Sequence, residues 1–485
     1  MPTTITLVGL GPGDPLLITR AAWEALAASP HVYLRTRQHA AVASLPKGPS
    51  YESFDDLYDQ IDDLSEVHHQ IAERLLDLAI EQEGLTYAVP GDALSGDATT
   101  SAIRSGAAER GIELVTHAGI SWVDAACALL EVDAQSGLQV HACEQVIARL
   151  HPNLDPDVPA LIMQLGNRYL ASQLKLTLMN LYPDGHPIRL ITALGTPQAH
   201  VISASLHELD RQASLDHLAC VYLGALPERS SVASHQDVIA RLRAPDGCPW
   251  DREQTHTTMR TNLLEETYEV LDALDSGDMD KLCEELGDLM LQIIMHVQIA
   301  TEEGDFRLVD AVAANIAKLV RRHPHVFGDA AVSGSEEVLR NWEQIKRQER
   351  NDAAKSLLDG VSRALPSLLQ SFEMQRRVAR VGFDWPNLAG VQAKFDEELA
   401  EWCQAQTAAE RASELGDVLF SLVNLARWYE LDPESALRET NQRFARRFAY
   451  LERCAHQQGV ALEDCTLETM DAWWDQAKQE EERNP

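Results

Sequence analysis

The sequence predicts a multidomain protein: a two-lobed α/β domain over residues 1–233, then two all-α helical repeats over 234–352 and 353–485. Three observations lead there. Short apolar runs ending in glycine turns alternate with helical stretches through the first half, as in α/β units. Helical periodicity replaces them in the second half. One acidic pattern in that second half occurs twice, in register.

Ile5-Thr6-Leu7-Val8 reads as a buried strand, followed by Gly9-Leu10-Gly11-Pro12-Gly13-Asp14-Pro15 and a helix over 17–28. Glycines let a backbone approach a ligand closely, and a helix N-terminus attracts anions. The dinucleotide fingerprint fails, because Asp14 stands where the third glycine belongs and Pro12 stiffens the loop. Strands are expected at 85–89, before Pro90-Gly91-Asp92, and at 113–116, before Ala118-Gly119-Ile120-Ser121. Three more are expected at 160–164, 188–192 and 220–223, for a second lobe. Plain turn geometry is the alternative explanation of any single glycine loop.

These loops together resemble the tetrapyrrole methylase family over residues 3–225. The resemblance implies S-adenosylmethionine at the N-terminal domain, in a cleft lined by Gly9, Gly11, Gly13, Asp14, Gly91, Asp92, Gly119 and Ser121. Ala93 follows Gly91-Asp92 where the family often has proline, so fold carries over more directly than activity.

A helix over 236–242 leads to the turn Pro245-Asp246-Gly247-Cys248-Pro249-Trp250-Asp251. Cys248 there reads as packing rather than as a metal ligand. The repeated pattern follows. Glu266 and Glu269 form an ExxE, and Glu285 and Asp288 an ExxD; Glu398 and Glu401, then Glu414 and Asp417, repeat it. Residues three apart share a helix face, so two packed helices can aim four carboxylates at one point. Repulsion among them calls for a cation, and hard oxygen ligands suit Mg²⁺, which commonly bridges carboxylates and a substrate phosphate.

The competing explanation is a pair of solvated acidic faces. Against it, Leu263, Leu264, Val270, Leu271 and Leu274 interleave with the acids, giving each helix a core side. Gly287 and Gly416, at matching positions, predict a close helix approach. The register also repeats: Glu398 lies 132 residues after Glu266, and Trp474-Asp-Gln-Ala-Lys478 lies 132 after Trp342-Glu-Gln-Ile-Lys346.

Cys248-Pro-Trp-Asp251, Leu263-Leu-Glu-Glu-Thr-Tyr-Glu-Val270, Glu284-Glu-Leu-Gly-Asp-Leu289, Arg321-Arg-His-Pro-His-Val-Phe-Gly-Asp329 and the Trp342 segment together resemble the MazG family of nucleoside triphosphate pyrophosphohydrolases. The segments around Val381-Gly-Phe-Asp-Trp-Pro386, Glu397-Glu398 and Asn441–Phe448 resemble its C-terminal half.

The resemblance implies Mg²⁺, with Mn²⁺ as an alternative, on Glu398, Glu401, Glu414 and Asp417, and a second set on Glu266, Glu269, Glu285 and Asp288. It implies phosphate and nucleotide contacts from Lys394, Asn424, Arg443, Arg446, Arg447, Trp474 and Lys478. Glu397 and Glu265, each preceding a ligand (Glu398, Glu266), are candidates to position or deprotonate water, or to be second-sphere or solvated groups. A surface charge patch paired with Glu439 and Glu452 is the other reading of the three arginines. Asn424 has Met295 as its counterpart in the first repeat, which favours the second repeat as the principal site.

The expected reaction is nucleoside triphosphate plus water to monophosphate and pyrophosphate, clearing nucleotides, in a homodimer of helical bundles. Two alternatives are an S-adenosylmethionine-dependent methyltransferase dimerised by its helices, and a nucleotide-binding regulator without turnover.

A net charge of −34 argues against stable binding to nucleic acid or anionic membranes. Eight cysteines with no CxxC read as free thiols of a reducing compartment. With no signal-like N-terminus and no apolar run of membrane-spanning length, the expected location is cytoplasmic.

Overall fold

The computed structural model describes residues 3–61, 63–213, 215–335, 337–338, 340–342, 345 and 356–483; Lys346 of the Trp-to-Lys motif lies outside them. Internal contacts divide the chain into two compact units, Met1–Gln254 and Thr255–Pro485.

The first unit has two sheets. β1 (Thr4–Gly9), β2 (His31–Leu34), β3 (Ser50–Ser53), β4 (Gly84–Val89) and β5 (Glu113–His117) form the first, in the order β3-β2-β4-β1-β5. All its pairings are parallel. The central strands are apolar along their length because helices cover both faces. Ile5 and Leu7 of β1 point to a core with Val67, Ile71, Leu75 and Ile103. Val8, one residue out of phase, points to the other side with Ala22 and Leu26.

β6 (Gln139–Ala142), β7 (Ala160–Met163), β8 (Pro187–Thr192), β9 (His200–Ser205) and β10 (Cys220–Leu223) form the second sheet, in the order β6-β7-β10-β8-β9. Only β6 and β7 run parallel; the other neighbours are antiparallel. The fold class read from the sequence holds: an α/β domain of two lobes precedes a helical region. β2, β3, β6 and β9 were not anticipated. Each is short, or lies at a sheet edge and carries exposed polar positions, which weakens its apolar signal.

In the second unit, local chemistry sets the helix ends. Arg260–Ser276 stops at Gly277, which has φ +70°, and Asp278 caps Met279–Glu303 through the amides of Asp280 and Lys281. In the second repeat Asn387 caps Leu388–Gln404, and a Thr407–Glu410 capping box opens Ala408–Trp428. Asp432 and Pro433 start Pro433–Gln458, and Leu467–Arg483 returns along it around Leu451, Ala455 and Trp473. The Arg260–Ser276 and Pro433–Gln458 helices touch: Arg438 binds Asp275 at 2.8 Å and Gln442 binds Asp272 at 2.9 Å.

Candidate metal centres and nucleotide site

Each repeat places its acids on two consecutive helices joined by a tight turn. An ExxE on the first helix faces an ExxD on the second, because i and i+3 share a face. In the first repeat Glu266, Glu285 and Asp288 bring carboxylate oxygens within 4.8 Å of one another. In the second, Glu398, Glu401 and Glu414 do the same. Glu269 and Asp417, the fourth acid of each set, lie outside those mutual distances but act on them electrostatically.

Burial and like charge both show in the proton affinities. Glu266 is raised above the usual carboxylate range by burial first, then by Asp288 and Glu269. Glu285 is raised by burial and Glu269, and Glu414 by burial, Glu401 and Asp417. Glu285 and Glu398 are each only 8% exposed. Converging oxygen donors that resist ionisation together fit a hard divalent cation, which removes the repulsion.

Three nearby groups escaped the sequence reading. Gln292 donates to Glu266 at 3.4 Å, Lys281 stands 3.9 Å from Glu285, and Glu481 binds Arg447 at 2.8 Å. The first two were within reach: Lys281 is four residues before Glu285 and Gln292 four after Asp288, so both share the acidic face.

One expectation is overturned. Gly287 and Gly416 do not mark close helix approach, since a Cβ at either would meet nothing within 4 Å among the described residues. Both glycines lie on the open side of their helices, beside the acids.

The expected nucleotide contacts fall into separate groups. Lys394 joins the second cluster, with its Nζ 2.7 Å from Glu398 and 3.1 Å from Glu397. Asn424 accepts from Arg427 at 2.8 Å, and Arg427 in turn grips Asp384. Its counterpart Met295 is buried. Arg446 and Arg447 meet Glu481, while Arg443 lies 3.7 Å from Glu439 and Lys478 3.0 Å from Asp475. Trp474 packs beside Phe444, with centroids 5.1 Å apart, and under the Arg447 guanidinium at 5.7 Å. Among the described residues, no hydrogen bond or ion pair joins these arginines, Trp474 or Lys478 to either cluster. Glu265 and Glu397 are exposed beside their clusters.

In the first unit the glycine loops close on one another. Gly11 and Gly91 exchange backbone hydrogen bonds of 3.0 and 2.7 Å. A Cβ at Gly9 would lie 2.6 Å from the Gly119 nitrogen, and one at Gly13 2.7 Å from the Gly195 oxygen. Asp14 caps Leu16, Asp92 accepts from Leu94 and Gly119, and Ser121 is bound to Asp124. Those side chains each bond within the loops.

Known proteins carry the same two parts. Residues 4–210 match the tetrapyrrole (corrin/porphyrin) methylases, and residues 254–327 match the MazG nucleotide pyrophosphohydrolase domain. The uncharacterized protein YabN of Bacillus subtilis is 36% identical over 99% of both chains. The nucleoside triphosphate pyrophosphohydrolase of Escherichia coli K12 is 46% identical across 50% of this chain and 95% of its own. The nucleoside triphosphate pyrophosphohydrolase/pyrophosphatase MazG of Thermotoga maritima is 41% identical across 50% of this chain and 93% of its own. A near-full-length relative and two that align with half of the chain place it in the MazG nucleotide pyrophosphohydrolase family, in the form that carries an N-terminal tetrapyrrole methylase domain.

Proposed function

We propose that this chain hydrolyses nucleoside triphosphates to monophosphates and pyrophosphate in its helical repeats, with Mg²⁺ held by the carboxylate clusters and the second repeat as the principal site. One observation carries this: Glu398, Glu401 and Glu414 converge within 4.8 Å on a helix pair of a chain whose relatives are named for that reaction. Glu398, Glu401 and Glu414, with Asp417 beside them, would hold the ion. Bound there, it would polarise the attacked phosphoryl group and stabilise the leaving pyrophosphate. Glu397 is exposed at the edge of the cluster, 3.1 Å from the Lys394 ammonium, where its carboxylate would accept a hydrogen bond from water. Trp474, flanked by Phe444 and Arg447, offers an aromatic face to a base. Arg446 and Arg447 would exchange Glu481 for triphosphate oxygens.

The helical unit leaves apolar surface for a second copy. The Leu308–Arg322 helix buries no residue in the chain, and Val309, Val312, Ile316 and Leu319 are each 45% exposed or more. These residues fall at helical spacing on one face, as a two-fold bundle requires. No helix of the described residues is long and apolar enough to cross a membrane. All eight cysteines are free thiols, which favours a reducing, cytoplasmic setting.

The test is incubation with Mg²⁺ and each nucleoside triphosphate while following pyrophosphate and monophosphate. Turnover should fall sharply in Glu398→Ala and in Asp417→Ala. Unchanged turnover in a variant that combines these with Glu266→Ala would reject the carboxylate assignment.

A further inference from the structure

We propose that Lys394 is an exchangeable counter-ion of the second cluster: a divalent cation displaces it from Glu398, and the freed ammonium then binds the substrate triphosphate. The inference rests on the hydrolase reading above and adds a coupling between metal entry and substrate capture.

The geometry behind it is local. Glu398 is 8% exposed, so water satisfies little of its charge. The Lys394 ammonium supplies the counter-charge at 2.7 Å, while the lysine side chain stays 38% exposed. The same ammonium reaches Glu397 at 3.1 Å, and the Glu397 side chain is 55% exposed. One lysine therefore bridges an inner and an outer carboxylate, at the i+4 and i+3 positions of its own helix. A doubly charged ion shared by Glu398, Glu401 and Glu414 would repel the ammonium from the inner carboxylate. Its flexible four-carbon stem lets it stay with Glu397 without helix movement. It would then stand at the edge of the metal centre, where a metal-bound phosphate needs a further positive charge.

The first repeat is wired differently, which provides a comparison inside the same chain. Asn262 occupies the position equivalent to Lys394, four residues before Glu266. The lysine of that cluster, Lys281, sits on the other helix and stands 3.9 Å from Glu285. Exchange between an inner and an outer carboxylate of one ExxE helix is thus a property of the second repeat.

The experiment measures Mn²⁺ affinity without nucleotide, from the free-ion paramagnetic resonance signal, on the full chain with the first cluster silenced by Glu285→Gln. In that background Lys394→Met should bind Mn²⁺ about two- to fivefold more tightly, the range expected on removing a partly exposed competing cation. The same substitution should raise the KM for nucleoside triphosphate, and Lys394→Arg should restore both values. Equal or weaker Mn²⁺ binding by Lys394→Met overturns the exchange and leaves the hydrolase reading standing. Mn²⁺ binding in that background no stronger than in a variant also carrying Glu398→Gln and Glu414→Gln removes the metal site and the exchange with it.

Discussion

Adding Mg²⁺ should stabilise the helical unit in two separable steps, one for each cluster. A ligand that binds only the folded state, supplied at a hundred times its Kd, stabilises by about 2.7 kcal/mol per site. The unit spans Thr255–Pro485. For domains of that size, each kcal/mol moves the melting midpoint by about 2–4 °C. One occupied cluster should therefore add about 5–11 °C, and two about twice that. Glu398→Gln combined with Glu414→Gln should remove the second cluster's share and leave that of Glu266, Glu285 and Asp288. Without Mg²⁺, Glu414→Gln alone should melt no lower than the parent, because a neutral amide avoids the cost of burying charge and the like-charge repulsion that raise Glu414. Thermal unfolding of the full chain, followed by helical circular dichroism with and without Mg²⁺, reads both effects. An undiminished Mg²⁺ response in the double variant, or none in the parent, would refute the reasoning.

Three further outcomes follow from other parts of the molecule. Burial pushes His39 down to about 4, so it folds neutral while the unfolded side chain titrates near 6.5. Its contribution is complete above that value and is lost as the pH falls: denaturant titrations of the first unit's transition should show about 3 kcal/mol lost between pH 6.5 and pH 4, and His39→Phe should flatten that slope. Asp97, its side chain 2% exposed, holds Arg35 at 2.6 Å, and Arg35 also reaches Tyr58 and His68; Asp97→Ala strands the guanidinium and should cost about 3 kcal/mol in a chemical denaturation experiment. Gly416→Ala should stabilise the helical unit by about 1 kcal/mol, because a methyl group there meets nothing and glycine is a poor helix former; a lower melting midpoint would show that something covers this face.

The α/β core and the acidic clusters were legible in the sequence because each has a short period. Runs such as Ile5–Val8 and Leu85–Val89 announce strands buried on both faces. Carboxylates three residues apart, on helices bounded by Gly277–Asp278 and by Thr407, announce shared faces whatever their surroundings. Contacts between elements were not legible. Nothing in the spacing of Arg447 and Glu481 states that they pair across the last two helices, nor that Trp474 packs against Phe444. The glycines at 287 and 416 show the same limit, since a missing side chain makes room equally for a neighbouring helix or for open space.

Residue order by itself determined which side chains share a face, where helices begin and stop, and that one acidic pattern was duplicated, because these follow from backbone periodicity and local capping. Tertiary structure alone decided which three acids of each set converge and which surfaces stay uncovered, because those depend on how separate helices meet.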